Sequence, residues 1–195
     1  MCMLEKQISS SFVKNEKIDR IYQGDLLSNI SLSIISQSDD DNVGVTEINF
    51  PYVLVLSQDC DLKQFFDKQN SESKDNVFNQ YIPNVLIAPC YYEEDFKSGE
   101  NLSFLNISQA RHSSEQMKLI KQERDPRYHY IDSFDDFNIP ALYIDFKVYY
   151  TISPQDLFEK YENSYVATVN ALFRERITQR YTNYISRIGL PCILK

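Results

Sequence analysis

The strongest constraint on the fold is the run PYVLVLSQDCDL at residues 51–62, in which an unbroken apolar segment ends abruptly in a polar turn. A short continuous apolar run with β-branched members, bounded by proline and polar residues, predicts a strand buried within a sheet. The turn after this strand holds Cys60 between Asp59 and Asp61. We therefore expect a buried strand that presents a candidate site at its end.

Further strands are predicted on both sides of this run. The first predicted strand contains a Gly-Asp turn, and the last two predicted strands are rich in aromatic and β-branched residues. The predicted strands cover residues 21–35, 43–50, 51–56, 85–88, 127–131 and 141–150. We expect the early strands to form a meander and the last two to pair as a hairpin. Cys60 and Cys90, each just past a strand, are expected at the same edge of adjacent strands.

Helices are predicted mainly in the second half of the chain. Residues 63–80 are polar, so they are expected to be an insertion with at most one helical turn. A capping-box pattern at Ser113 and Gln116 predicts a helix that reaches about Arg124. Ser153 followed by Pro154 marks another helix start. A short helix is also predicted at residues 91–97. Apolar residues at helical spacing predict the last helix over residues 170–188.

The predicted fold class is α+β. With 195 residues the chain suits one compact unit. We expect residues 1–150 to form an SH3-like, partly closed β-barrel with acidic insertions, and residues 151–195 to form helices packed on that barrel.

Charge and apolar patterning limit the classes of partner. The net charge is −8, and residues 1–110 carry 8 basic against 17 acidic side chains, so this half would repel nucleic acid. The four cysteines are widely scattered, as is typical of reduced thiols in a cytosolic protein. No apolar run approaches the length of a membrane span, and the first residues lack a signal-peptide pattern. We expect a cytoplasmic protein, with no membrane partner.

Three short segments carry a family resemblance. GDLL at 24–27, PYVLVLSQD at 51–59 and VLIAP at 85–89 together resemble the strand skeleton of PemK/MazF-type toxins, which are small SH3-like barrels. The resemblance implies a bacterial toxin-antitoxin or phage-defence setting. Members of that family are typically metal-independent ribonucleases with an arginine before the proline of the second segment and a threonine or serine after the third.

This chain lacks both of those catalytic groups. Phe50 precedes Pro51, and Cys90, Tyr91 and Tyr92 follow the third segment. Phenylalanine can neither transfer a proton nor stabilise a developing charge on phosphorus. If the resemblance holds, the barrel has lost the usual reaction or rebuilt it.

Candidate catalytic residues are Cys60, as a nucleophile, and His112 or His129, as its base. The neighbouring carboxylates of Asp59 and Asp61 would destabilise a thiolate, and the alternative is a structural thiol packed under a turn. The same two aspartates are candidate binding residues, whose simpler role is to cap the turn. The cysteines and histidines lack the short-range pairing of zinc motifs, so we predict no metal and no cofactor.

Arginine and tyrosine side chains on the last predicted helix form a candidate phosphate or RNA surface. At helical spacing, Arg176, Arg180 and Arg187 share a face. The alternatives are a solvated helix face, or a stripe that pairs with the protein's own acidic loops. The residues of this candidate surface are Arg174, Arg176, Arg180, Tyr181, Tyr184 and Arg187.

The expected function is that of a degenerate PemK/MazF-like barrel that binds a protein partner. High tyrosine content favours a protein interface over a catalytic cleft. The first alternative is a rewired metal-independent endoribonuclease that uses the arginine helix for RNA. A weaker alternative is a cysteine hydrolase centred on Cys60.

Overall fold

A computed structural model describes residues 11–15, 19–37, 43–71 and 81–187 of the chain. Within these ranges the protein combines helices with one antiparallel sheet that curls into a half-barrel. The predicted α+β class and the partly closed barrel are therefore confirmed at this level. No helix within the described ranges is long and apolar enough to cross a membrane.

The sheet has eight strands, and every pairing is antiparallel. The strand order is β1, β8, β2, β3, β4, β6, β5, and β7 pairs with β4 beside β6. β2, β3 and β4 are consecutive neighbours, as in the predicted meander, and β5 and β6 form the predicted hairpin. The strands are β1 Phe12–Val13, β2 Asp25–Gln37, β3 Val43–Val55, β4 Val85–Tyr92, β5 Tyr128–Ile131, β6 Leu142–Asp145, β7 Tyr150–Ile152 and β8 Tyr165–Val169.

In the described part of the chain, five α-helices accompany this sheet. The predicted capping box is present at Ser113, whose hydroxyl accepts from the Gln116 backbone N–H while the Gln116 side chain accepts from the Ser113 N–H. At the start of the next helix the Ser153 hydroxyl accepts from the Asp156 backbone N–H at 3.0 Å, and Pro154 is in the first turn. The helices are α1 Asp59–Gln69, α2 Glu93–Ser98, α3 Ser114–Lys121, α4 Pro154–Ser164 and α5 Ala171–Ile185, and short 3-10 helices cover Ser103–Leu105 and Asp135–Phe137.

The second half of β3, residues 51–55, is apolar without interruption because both of its faces are covered. Leu54 packs into a core with the α5 residue Ile177, and its neighbours Val53 and Val55 pack into a second core with the α4 residue Leu157. Successive side chains of a strand point to opposite faces, so a strand covered on both sides shows no polar alternation.

Strand boundaries differ from the prediction at Pro51 and after Asp145. The predicted strands at 43–50 and 51–56 are one strand. Proline has no N–H to donate to the ladder, and the position opposite Pro51 is Asn29. The left-handed backbone of Asn29 (φ 54°) interrupts the ladder at this point, so the strand continues past the proline. The predicted strand at 141–150 is two strands. The Asp145 carboxylate accepts from the Lys147 N–H at 3.0 Å, and this turn separates β6 from β7.

Two segments contain more regular structure than the sequence suggested. The polar insertion predicted at 63–80 begins as an 11-residue helix, α1, and its residues 72–80 lie outside the described ranges. The segment 151–195, predicted as helices alone, also contains β8, which lies between β1 and β2. α5 ends at Ile185, and the predicted helix end at residues 188–191 lies outside the described ranges.

The expectation that Cys60 and Cys90 share an edge is wrong. β3 and β4 run antiparallel, so the ends of the two strands lie at opposite edges. Cys90 lies inside β4, opposite Tyr52, and is fully buried, whereas Cys60 follows β3 and is exposed.

Candidate functional site

The polar turn after β3 is the beginning of α1, and an ion pair fixes it. Arg20 donates to both carboxylate oxygens of Asp59, at 3.2 and 3.0 Å, and the Gln23 backbone N–H donates to the same carboxylate at 3.3 Å. Burial alone would raise the pKa of Asp59, but the hydrogen bonds and charge of Arg20 outweigh it and lower that pKa. The Asp59 carboxylate therefore links the start of α1 to residues 20–23 by hydrogen bonds.

Gln23 also links this region to α5. The Gln23 side-chain amide donates to the Leu56 carbonyl and to the Thr178 hydroxyl, both at 3.2 Å. Gly24 has a left-handed backbone (φ 84°), and a side chain there would come within 3.1 Å of the Arg174 stem. Arg174 therefore packs over the Gly-Asp turn.

Asp59, Cys60 and Asp61 form the first turn of α1. The exposed Cys60 thiol is 3.5 Å from the Gln58 side-chain oxygen and 3.5 Å from a carboxylate oxygen of Asp61. Neither hydrogen bond involves a base that could activate the thiol.

The two histidines lie on opposite faces of β5. The His112 ring stacks on Phe96 at 4.6 Å, on the side of the sheet that carries Tyr128. His129, the next residue of β5, is fully buried on the other side, where its ring stacks near Phe146. Burial, followed by the charges of Arg180 and Arg176, lowers the pKa of His129 to about 3.

Burial, with a further effect of the Arg127 charge, also lowers the pKa of His112. Both imidazoles are therefore neutral at neutral pH. No hydrogen bond or ring contact between described residues joins Cys60 to His112 or His129. The structure does not assemble the predicted nucleophile and base.

The predicted arginine surface is used largely within the chain. Arg180 donates to three backbone carbonyls, those of Glu123, Asp125 and Tyr128, at 2.9, 2.8 and 2.7 Å. Arg176 forms an ion pair with the Glu123 carboxylate. The contacts of Arg176 and Arg180 therefore hold α5 against the loop before β5. This arrangement corresponds to the alternative in which the arginine stripe pairs with the protein's own acidic loops.

The remaining members of that surface are scattered. Tyr181 is buried against Phe146, with ring centroids 5.7 Å apart, and is no platform for a base. Tyr184 is half-buried, and the Arg187 guanidinium lies 5.0 Å from its ring. Arg187 follows the end of α5, so the shared helical face does not extend to it.

An apolar cleft lies between α1 and α4, and we call it the α1–α4 cleft. Its volume is about 450 Å³. Leu62, Phe65 and Phe66 face it from α1 at spacings of three and four residues, and α4 contributes Pro154 and Phe158. The full lining is Asp19, Arg20, Ile21, Leu62, Phe65, Phe66, Gln69, Asn70, Pro154, Gln155, Phe158 and Glu159.

The floor and the rim of the cleft differ in chemistry. Ile21 and Leu62 are buried at its base, whereas Phe158 is 48% exposed on its wall. Arg20 is neutralised by Asp59, so the carboxylates of Asp19 and Glu159 are the unbalanced charges among the lining residues. An apolar groove with an acidic rim can bind an apolar segment that carries positive charge at its margins.

This cleft was missed at the level of sequence. The apolar spacing of Leu62, Phe65 and Phe66 is the signal that could have found it, but the polar residues around them favoured an insertion. The cleft also needs α4, which lies about 90 residues further along the chain.

No known protein-family model and no curated protein matches this sequence.

Proposed function

We propose that this protein is a non-catalytic module that binds a protein partner in the α1–α4 cleft. The observation that carries this proposal is the apolar lining of the cleft, above all the half-exposed Phe158 beside the stripe of α1. Large aromatic side chains that become buried on binding are common anchors of protein interfaces.

The occupant that fits is an amphipathic segment of a partner, with apolar anchors and basic flanks. Two helices with apolar residues between them form the kind of groove that accepts such a segment. The rim carboxylates of Asp19 and Glu159, in a chain of net charge −8, favour positive flanking residues.

The degenerate PemK/MazF-like interpretation belongs to the same proposal, with an SH3-like barrel and a toxin-antitoxin or phage-defence setting. Support comes from the positions where that family has its catalytic groups. Phe50 is 1% exposed, and Cys90 is fully buried with its thiol pKa raised by burial. Side chains committed to the core at both positions are consistent with a barrel that has lost the reaction.

The catalytic alternatives have less support. The endoribonuclease hypothesis relied on the arginine stripe, but Arg176 and Arg180 are engaged with residues 123–128. The hydrolase hypothesis relied on an activated Cys60, whose polar contacts are with Gln58 and Asp61.

The test compares two exposed apolar side chains. Phe158→Glu changes the cleft, whereas Leu172→Glu changes a position on α5 that is more exposed, at 72% against 48%, and does not line the cleft. The tagged protein and both variants are expressed in a bacterial host, proteins that co-purify with the wild type are identified, and their Kd values are measured. Burying the exposed half of a phenylalanine contributes about 2 kcal/mol, or about 30-fold in Kd.

We expect Phe158→Glu to weaken the partner by at least this factor and Leu172→Glu to leave its Kd unchanged, with both variants folded by circular dichroism. A partner that tolerates Phe158→Glu, or that is lost equally with Leu172→Glu, would contradict the proposal.

A further inference from the structure

A second cleft lies between the segment 102–112, α3 and the turn that joins β6 to β7. Its volume is about 590 Å³, and all of its lining residues belong to the described ranges. We call it the basic cleft, because its charged lining residues are Arg111, Arg127 and Lys147 and no carboxylate lines it. Such a concentration of positive charge is unexpected in a chain of net charge −8.

One of the cleft's lining residues, Arg127, forms a bidentate ion pair with a buried carboxylate. Arg127 donates through Nε and Nη2 to the fully buried Asp145 carboxylate, at 2.8 and 2.5 Å. The Asp145 carboxylate also accepts from the Lys147 N–H. Because Nε and Nη2 make these two hydrogen bonds, Nη1 of Arg127 does not bond to the Asp145 carboxylate. The guanidinium therefore keeps a donor for another acceptor.

The positive charge of the cleft is not fully balanced. Asp145 compensates Arg127, whereas the side chains of Arg111 and Lys147 are exposed and add two charges. The Asp125 carboxylate accepts from the Arg127 backbone N–H and does not line the cleft, but its charge acts on His112 and Tyr128 and offsets one of these two charges. An anion in the cleft would therefore meet a net positive field.

A polar atom in the wall has no partner among the described residues. His112 lines the cleft, and its Nε2 atom is buried without a hydrogen bond. Its ring is held in place by the stack on Phe96 and by the edge of Tyr128 at 5.2 Å.

The rest of the lining suits a planar apolar group. Leu102, Leu105, Ile107 and Val148 are its aliphatic lining residues, and Tyr128 lies beside Arg127 with its ring 4.9 Å from the guanidinium carbon. A ligand for this cleft therefore needs an anionic end and a ring or apolar end.

We propose that the basic cleft binds a small organic phosphate with a ring portion, such as a nucleoside monophosphate. Arg111, Arg127 and Lys147 bind the phosphate, and the aliphatic lining residues with His112 and Tyr128 receive the ring. This site is separate from the α1–α4 cleft, and the two clefts share no lining residue.

The test uses three probes that separate the two parts of the ligand. Adenosine 5′-monophosphate, adenosine and inorganic phosphate are each titrated into the full chain by calorimetry and by NMR, with the His112 and Tyr128 side-chain resonances as reporters. The cleft variant is Arg111→Glu with Lys147→Glu, which leaves the Arg127–Asp145 pair intact. The control is Lys63→Glu with Arg187→Glu, two exposed positions outside the cleft that make the same change in net charge.

We expect the monophosphate to bind with a Kd below about 1 mM and to shift both reporters, with adenosine and inorganic phosphate each at least about tenfold weaker. The cleft variant should lose at least about tenfold in affinity and the control less than about threefold. Equal affinity of inorganic phosphate would overturn the ring portion of the proposal. Equal losses in the cleft variant and the control, or no shift of the reporters, would overturn the site itself.

Discussion

The carboxylate of Asp25 provides a quantitative test of the fold. Asp25 is fully buried at the start of β2, and its oxygens accept from the Tyr22 N–H and from the hydroxyls of Tyr161 and Thr168, at 2.7, 2.5 and 2.6 Å. Burial, only partly offset by these donors, raises its pKa from 3.8 to about 6. The folded protein therefore holds a proton here that the unfolded chain has already released.

The sign follows from proton linkage. A raised folded-state pKa stabilises the fold fully below the unfolded value, and this stabilisation is lost as the pH rises through the folded value. For Asp25 the whole effect is about 3 kcal/mol, of which about 1.4 kcal/mol is lost between about pH 5 and pH 8. Asn keeps one acceptor in place and cannot titrate, so Asp25→Asn should remove this dependence.

The assay is urea unfolding of the wild type and Asp25→Asn from about pH 5 to pH 8. Buried His129 has the opposite pH dependence, because its lowered pKa costs stability as the pH falls, but it is present in both proteins and cancels in the difference. The stability of the variant relative to the wild type should rise by about 1.4 kcal/mol over this range. A flat difference, or one that falls with pH, would refute the account of the buried carboxylate.

Three further predictions concern named contacts. Arg180→Ala should cost about 3 kcal/mol in unfolding free energy, because three carbonyls lose their donor. Arg176→Ala should cost less, because Arg176 is itself 43% exposed and Glu123 keeps Arg180 beside it at 3.9 Å; equal costs would be inconsistent with this assignment. Iodoacetamide at neutral pH should label Cys60 and spare Cys90 until the protein unfolds, as measured by peptide mass spectrometry, and labelling of Cys90 in the native state would contradict its burial. Gly99→Ala should cost more than about 1 kcal/mol in thermal unfolding, because the backbone is left-handed (φ 81°) and a side chain would clash with the facing carbonyl, and an unchanged melting temperature would show that this loop is not fixed.

The predicted elements were most accurate where the local pattern and the tertiary structure agree. The apolar β3 strand and the capped helices at Ser113 and Ser153 follow directly from residues that are adjacent in sequence. The helix α1 was underestimated because its buried stripe is narrow and its other residues are polar. β8 was missed because it is short and follows α4 without a turn. Its partners β1 and β2 lie about 140 residues or more earlier in the chain, so no local pattern indicates this pairing.

The candidate sites were harder to predict because they depend on which elements meet. The sequence cannot show that Arg180 is committed to the carbonyls before β5, or that the two histidines face opposite sides of the sheet. Both clefts combine residues from distant parts of the chain. The residues around Cys60 suggested a catalytic turn, whereas the main role of this turn is the ion pair that links α1 to Arg20.

The most direct test of the proposed function is site-specific photo-crosslinking from the α1–α4 cleft in living bacteria. A benzophenone amino acid is placed at position 158, and at position 172 as the control, and the cross-linked peptides are identified by mass spectrometry. The account predicts that position 158 cross-links to one partner protein, within an amphipathic segment flanked by basic residues, and that position 172 does not. The same products from both positions, or an acidic or uniformly polar segment at position 158, would contradict it.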